Sequence, residues 1–376
     1  MKTSMFVSLV MTVVLFRSAA AQGDFVQVGS QAYDVPVDAR SVAMGESSVA
    51  LRGNQNALMF NPAGLGGIRG AHVSYSLRRF DWTTFLDKAK YLQVSGVVET
   101  PYVNAGFSYN RLKLGEVIVS TPQFPEGTGT AEIFDYMLAL GFGKRLGDNW
   151  DVGIGLKTYD ICLEKLSGDV PVLETTKPFL VDLGFIYSSE IANDQPLFTH
   201  SFSVGAAIQN LGGKLKSENS SFSGREESET SLPQYVRVGF TFTIGVSAET
   251  GESLQTFSVL ASGEYRTFLN GSDGQSHQKD FWGFGLEMKA MEIVSVRLSG
   301  FVNPYSSVYG TKGVPALRYG FGISLPFQKL GTSLPITIQI DYAGIPPQIS
   351  NSYIGSQEPK TMHAFSMSVA YENEIF

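Results

Sequence analysis

From residue 71 onward, large apolar side chains recur at every second position, and this period of two limits what the chain can build. Phe134, Tyr136, Leu138, Leu140 and Phe142 alternate with Ile133, Asp135, Met137, Ala139 and Gly141. Trp150, Val152, Ile154 and Leu156 alternate with Asp151, Gly153, Gly155 and Lys157, and the same phase returns in 179–187 and 236–244. Successive side chains of a strand point to opposite faces, so each segment has one large apolar face and one face of Gly, Ala, Ser, Thr or charge. Two architectures satisfy that pattern. A sandwich turns the apolar face inward, and a membrane barrel turns it to lipid.

The spacing of the segments decides between them. Strands are expected near 71–79, 91–98, 102–111, 132–142, 150–159, 178–187, 200–210, 234–245, 255–266, 280–289, 293–301, 316–325, 335–343 and 362–371. Fourteen is an even number, and most segments match the length of a tilted strand across a bilayer. Long connections alternate with short ones all along the chain, as in 112–131 followed by 143–149, or 211–233 followed by 246–254. Short turns at one end and long loops at the other are the asymmetry of an outer-membrane barrel. The expected fold is therefore all-β, a 14-stranded antiparallel transmembrane barrel in the outer membrane, surrounded by its lipid. Closure follows from chemistry, because hydrocarbon offers no partner to an open edge of N–H and C=O groups.

On this phase Lys157, Asp182, Arg237, Glu264, Arg266 and Asp341, with Glu287, point into a polar lumen where opposite charges can pair. The aromatics Phe80, Trp82, Tyr91, Trp150, Tyr159 and Tyr187 fall near strand ends, where amphipathic rings favour the bilayer interface. In the last strand the apolar phase is His363, Phe365, Met367, Val369 and Tyr371, so Phe376 follows a short polar tail.

The N-terminal part reads differently. Residues 1–21 combine Lys2, an apolar stretch from Met5 to Phe16 and small residues at 19 and 21, which is the pattern of a cleaved export signal. Residues 22–70 lack alternation but carry small residues and the turn signal Asn61-Pro62. They are expected to form a hatch inside a barrel of residues 71–376; the alternative is a periplasmic extension.

Few chemistries remain. The 376 residues carry 28 basic and 35 acidic side chains, a net charge of −7, which disfavours a nucleic-acid partner. Beyond the signal no 18-residue apolar run offers a membrane helix. The single cysteine, Cys162, excludes an intramolecular disulfide and reads as a packing residue. His72, His200, His277 and His363 are far apart, and neither a zinc pair, a nucleophile elbow nor a phosphate loop is present. No catalytic residue, metal ligand or cofactor is expected, and the chain reads as a non-enzyme. Asn270–Gly274 lacks the spaced acids of a calcium loop, and Glu218–Glu229 reads as a mobile surface loop suited to partner contact.

The hatch segment carries a resemblance. Ala39-Arg40-Ser41, Met44-Gly45, Ala57 and Asn61-Pro62-Ala63-Gly64-Leu65 resemble the N-terminal signature of the FadL-like outer-membrane barrel superfamily. Within it the chain is most similar to the branch holding the PorV and PorQ proteins of the type IX secretion system. Gly205–Gly212, Leu232-Pro233 with Val236–Gly239, Gly283–Glu287, Val296–Leu298 and Asp341-Tyr342 extend the likeness along the chain. The resemblance implies a barrel with an N-terminal hatch that carries Ala39, Arg40, Met44, Gly45, Asn61, Pro62, Ala63 and Gly64 as its motif. In the PorV-like branch such a barrel binds proteins, so the first expectation is a component of a secretion or surface-attachment system that meets partners through long outer loops. In the fatty-acid transporters the hatch blocks the lumen and hydrophobic ligand leaves sideways. Uptake or export of hydrophobic small molecules such as fatty acids is thus the alternative, with Leu58, Met59, Phe60 and Leu65 as its apolar ligand wall.

Overall fold

A computed structural model describes residues 36–80, 89–121, 124–168, 172–191, 198–221, 224–230, 232–247, 256–269, 280–302, 316–346 and 361–373. Residues 1–21, expected as an export signal, residues 270–274, Trp82 and Phe376 lie outside the described residues.

Fourteen antiparallel strands close into one barrel. They begin with β1 (Ala71–Phe80), β2 (Ala89–Val98), β3 (Asn104–Thr121), β4 (Phe124–Leu146) and β5 (Trp150–Gly168). After β6 (Val172–Thr175) come β7 (Phe179–Ile191) and β8 (Phe198–Gly212), and after β9 (Leu215–Ser221) and β10 (Gly224–Thr230) come β11 (Tyr235–Val246) and β12 (Phe257–Phe268). The wall ends with β13 (Asp280–Ala290), β14 (Val294–Val302), β15 (Ala316–Pro326), β16 (Ile336–Ile345) and β17 (Met362–Tyr371). β1 pairs with β17 from Ala71↔Tyr371 to Arg79↔His363, and that pairing shuts the ring. Every strand expected from the alternation is present within a few residues, apart from the lengthening of β3, β4 and β5.

The two faces separate as the period of two requires. Leu138 is 47% exposed, Leu140 57% and Phe142 41%, while Asp135, Met137 and Ala139, in the opposite phase, are buried. In β17, Phe365, Met367, Val369 and Tyr371 face outward and Ala364, Ser366, Ser368 and Ala370 inward. An outward band this apolar is stable in hydrocarbon, and the described residues span the membrane as a closed barrel. One end of the barrel has tight turns, such as 147–149 and 291–293, and the other carries the long connections.

Three readings of the sequence are corrected. Residues 112–131 and 160–177 are not simply loops: β3, β4 and β5 run on through much of them, with 18, 23 and 19 residues. At a rise of roughly 3.3 Å per residue β4 is about 75 Å long, far more than a bilayer requires, so the three strands overhang the loop end. Glu218–Glu229 is not an unstructured loop. β9 and β10 form a hairpin there, and β6 joins it in a separate sheet of order β10-β9-β6. Within that sheet the Lys216 ammonium reaches the Glu229 carboxylate at 2.8 Å and, with Lys214, holds it below the usual carboxylate range. Finally, Tyr91 and Tyr159 are not interfacial anchors: they are 2% and 1% exposed and point into the lumen. Trp150, at 40% exposure and in tilted ring contact with Tyr187, does face outward.

Candidate functional site

The described part of the N-terminal segment, residues 36–70, lies inside the barrel. It contains one short helix, α1 (Ala39–Ala43), and 3-10 turns over Ala57–Met59 and Pro62–Gly67. Asp38 caps α1, its Oδ1 accepting from Ser41 N at 2.8 Å. Asn61 caps the second turn through Oδ1, which accepts from Ala63 N at 3.0 Å, and Pro62 supplies the pre-set φ at the first helical position. Such short pieces have little stability alone. Burial against the wall and polar ties to it hold them.

Those ties are mostly charge-assisted. The Arg40 guanidinium donates to both Glu287 oxygens at 2.9 and 3.0 Å. Arg297 donates to Glu287 at 2.5 Å and to Asp341 at 2.6 Å, so a hatch cation and a wall cation share one wall carboxylate. Glu46 faces Arg318 at 2.7 Å and Arg266 at 3.7 Å. Glu264 accepts the Ser48 and Val49 backbone N–H groups, each at 2.9 Å, with one oxygen, and Arg237 at 2.6 Å with the other. Asn61 Nδ2 donates to Val49 O at 2.7 Å, Phe185 O at 3.1 Å and Ala206 O at 3.3 Å, stitching the hatch to itself and to β7 and β8. Lys157 and Asp182 pair at 2.5 Å within the wall, where Asp182 also accepts from Asn210 N at the β7–β8 bulge.

Close approach is a backbone matter. Gly45 has φ +64°, and a Cβ there would lie 2.7 Å from Phe284 O and 2.8 Å from Gly300 O. On the wall side, a Cβ at Gly153 would overlap the carbonyl of Pro62 and the nitrogen of Ala63. Met44 and Ala39 are fully buried, and Gly64 lies against Leu51 O and Ala57.

The four apolar hatch residues do not form one wall. Leu58 and Leu65 pack with Ala57, Ile68, Val97 and Ala139 toward the turn end. Met59 and Phe60 look the other way, into a cluster with Met137, Tyr159, Leu180, Leu215 and Leu232. Leu215 and Leu232 come from the β8–β11 connection, so a long loop reaches back over the top of the hatch.

Glu46 and Arg318 escaped the sequence reading, and Arg297 and Gln209 entered it only inside longer stretches, with no site role. For the wall residues a signal existed. Arg297 lies between Ser295 and Ser299 and Arg318 lies before Gly320 and Gly322, all buried, so each is a charge in the small-residue phase that marked Arg237. Among the described residues no three of His, Cys, Asp and Glu gather as a metal site.

No protein-family model matches the chain. No curated protein matches it either. Among solved structures it is similar to the toluene transporter TodX of Pseudomonas putida, with 12% identity, 94% of this chain and 100% of that one covered, and a TM-score of 0.44. The toluene transporter TbuX of Ralstonia pickettii gives 13% identity, 90% and 98% coverage and a TM-score of 0.45. A FadL homologue of Pseudomonas aeruginosa gives 11% identity, 93% and 100% coverage and a TM-score of 0.42.

Proposed function

We propose that the chain is an outer-membrane barrel that passes hydrophobic small molecules, fatty acids or hydrocarbons among them, through a lumen gated by residues 36–70. The observation that carries this reading is the apolar column over the hatch. Met59 and Phe60 meet Met137, Tyr159, Leu180, Leu215 and Leu232 on the side where the long loops lie, which is then the cell exterior. An entering ligand would take the place of Leu215 and Leu232 and lie against the adaptable thioethers of Met59 and Met137. The hatch ion pairs act as the latch below.

A second reading has its own observation. The overhanging β3–β5 and the small β6-β9-β10 sheet form a folded platform at the loop end, which a protein-binding component of a secretion or surface-attachment system would use. Purification from the native membrane in mild detergent, with identification of both bound lipid and co-purifying protein, tests the two together. Fatty acid or hydrocarbon bound to the isolated barrel, lost in Phe60→Asp, supports passage. A stoichiometric protein partner, lost on trimming 216–229 and with no bound lipid, would replace that reading with the second.

A further inference from the structure

The apolar column has one polar end. Asn110, Met137 and Tyr159 stand side by side across β3, β4 and β5, paired Asn110↔Met137 and Met137↔Tyr159 in the register. All three side chains are buried. Met137 and Tyr159 belong to the cluster around Met59 and Phe60, and Asn110 lies one strand beyond it. Neighbouring strands are about 4.8 Å apart, so the amide is a single strand spacing from the column. A mostly apolar cavity of about 10 Å³ opens between these three residues and Asp135.

Hydrogen bonding sets what that cavity accepts. Asn110 is 1% exposed; its Nδ2 donates to Ser108 Oγ at 2.9 Å, while its Oδ1 has no partner among the described protein groups. A buried acceptor without a donor is unfavourable, so a group that enters the cavity gains by supplying one. Protons already present are committed elsewhere. The Tyr159 hydroxyl donates to Asp135 Oδ2 at 2.7 Å, and the Tyr136 hydroxyl to Asp160 Oδ2 at 2.9 Å. Among the described residues no lysine or arginine borders the cavity. Its volume admits about one oxygen-sized group. A carboxylate would bring two oxygens, negative charge and no proton to a place that already holds Asp135. A methyl end fits by size but leaves the amide oxygen unsatisfied. A hydroxyl meets both demands. With the amide turned over, so that Ser108 donates to Oδ1 and Nδ2 faces the cavity, the same hydroxyl accepts instead.

We propose that Asn110 anchors the head group of the ligand, and that the favoured ligand is a neutral hydrocarbon carrying one terminal hydroxyl, an aliphatic alcohol or a phenol. This rests on the passage reading above and narrows it: the hydroxyl lies between β3 and β4, with the apolar body against Met137, Met59 and Phe60.

Radiolabelled 1-dodecanol, dodecane and dodecanoate, offered to the full chain in lipid nanodiscs at alkaline pH, test the proposal. Each affinity is referred to the ligand's own partition into protein-free discs. Dodecanol is expected to bind about fivefold more tightly than dodecane, the worth of one hydrogen bond, and dodecanoate most weakly. That ranking needs no variant. In Asn110→Leu, checked for a folded barrel by its heat-dependent gel mobility, dodecanol should fall to the level of dodecane. Phe60→Asp should weaken all three ligands and so reads the passage separately. Dodecanoate bound as tightly as dodecanol, or a folded N110L barrel that keeps its preference for the alcohol, overturns the anchor and leaves the passage standing. Binding of none of the three, or binding indifferent to F60D, overturns the passage and the anchor with it.

Discussion

Arg40 and Glu287, 247 positions apart in sequence, are joined by two hydrogen bonds of 2.9 and 3.0 Å that tie the hatch to the wall. Glu287 also holds Arg297, so neutralising it takes a carboxylate from two guanidiniums, of which Arg297 keeps Asp341 at 2.6 Å. Removing one partner of a buried pair costs about 3–5 kcal/mol. Glu287→Gln is expected to lower the guanidinium-unfolding free energy by that order and to open residues 36–70 to protease. In a cycle with Arg40→Met, a coupling below about 0.5 kcal/mol would show that the pair does not act as a latch.

Gly45 and Gly147 form a matched pair, since both have φ +64° and differ in the space around them. A Cβ at Gly147 meets nothing within 4 Å, so Gly147→Ala should cost only the left-handed strain of about 1–2 kcal/mol. Gly45→Ala adds overlap with two wall carbonyls and should displace the hatch, read as faster proteolysis of residues 36–70 in an otherwise heat-modifiable barrel. Equal behaviour of the two variants would place Gly45 away from the wall.

Deleting residues 37–66 should leave a folded, conducting barrel, because the wall closes through its own β1–β17 pairing. The exposed lumen would then present Arg237, Glu264 and Arg297 to water. Planar-bilayer recordings should show stable ion channels absent from the full chain. A deletion barrel that stays closed to ions would mean that the loops, rather than the hatch, provide the seal.

Orientation is testable with single cysteines in a Cys162→Ser background. Lys214 lies at the loop end, and Tyr102, 79% exposed, lies in the β2–β3 turn. A membrane-impermeant maleimide on intact cells should label Lys214→Cys and not Tyr102→Cys. The reverse pattern would invert the barrel.

The fourteen wall strands were legible because lipid and lumen impose opposite demands on alternate residues, as Leu138 and Asp135 illustrate. Beyond the membrane that contrast disappears. Along β9 and β10, Lys216-Ser217-Glu218-Asn219 and Arg225-Glu226-Glu227-Ser228 carry no apolar phase and read as loop. Pro125, Gly127 and Gly129 hid the overhang of β4 in the same way, being residues that weaken strands. Within the lumen, the phase of two indicated which charges turn inward. It could not show which would meet, since Glu46 finds Arg318 across a separation of 272 positions. Tyr91 and Tyr159 were misplaced because proximity to an assumed strand end was read as proximity to the bilayer surface, whereas β5 continues for nine residues past Tyr159.

The polar ties of the hatch also dictate a temporal order. Ala39 N donates to Ser366 Oγ at 2.7 Å, across 327 positions, and Ser366 belongs to the last strand. The α1 end of the segment therefore lacks part of its docking surface until β17 has been synthesised, delivered and zipped to β1. Contacts of such long sequence separation form late, because the intervening chain must first be confined. The segment made first is ordered last. During biogenesis the N-terminal stretch has to travel as an unsatisfied polymer, open to holdase chaperones and proteases until the ring shuts around it.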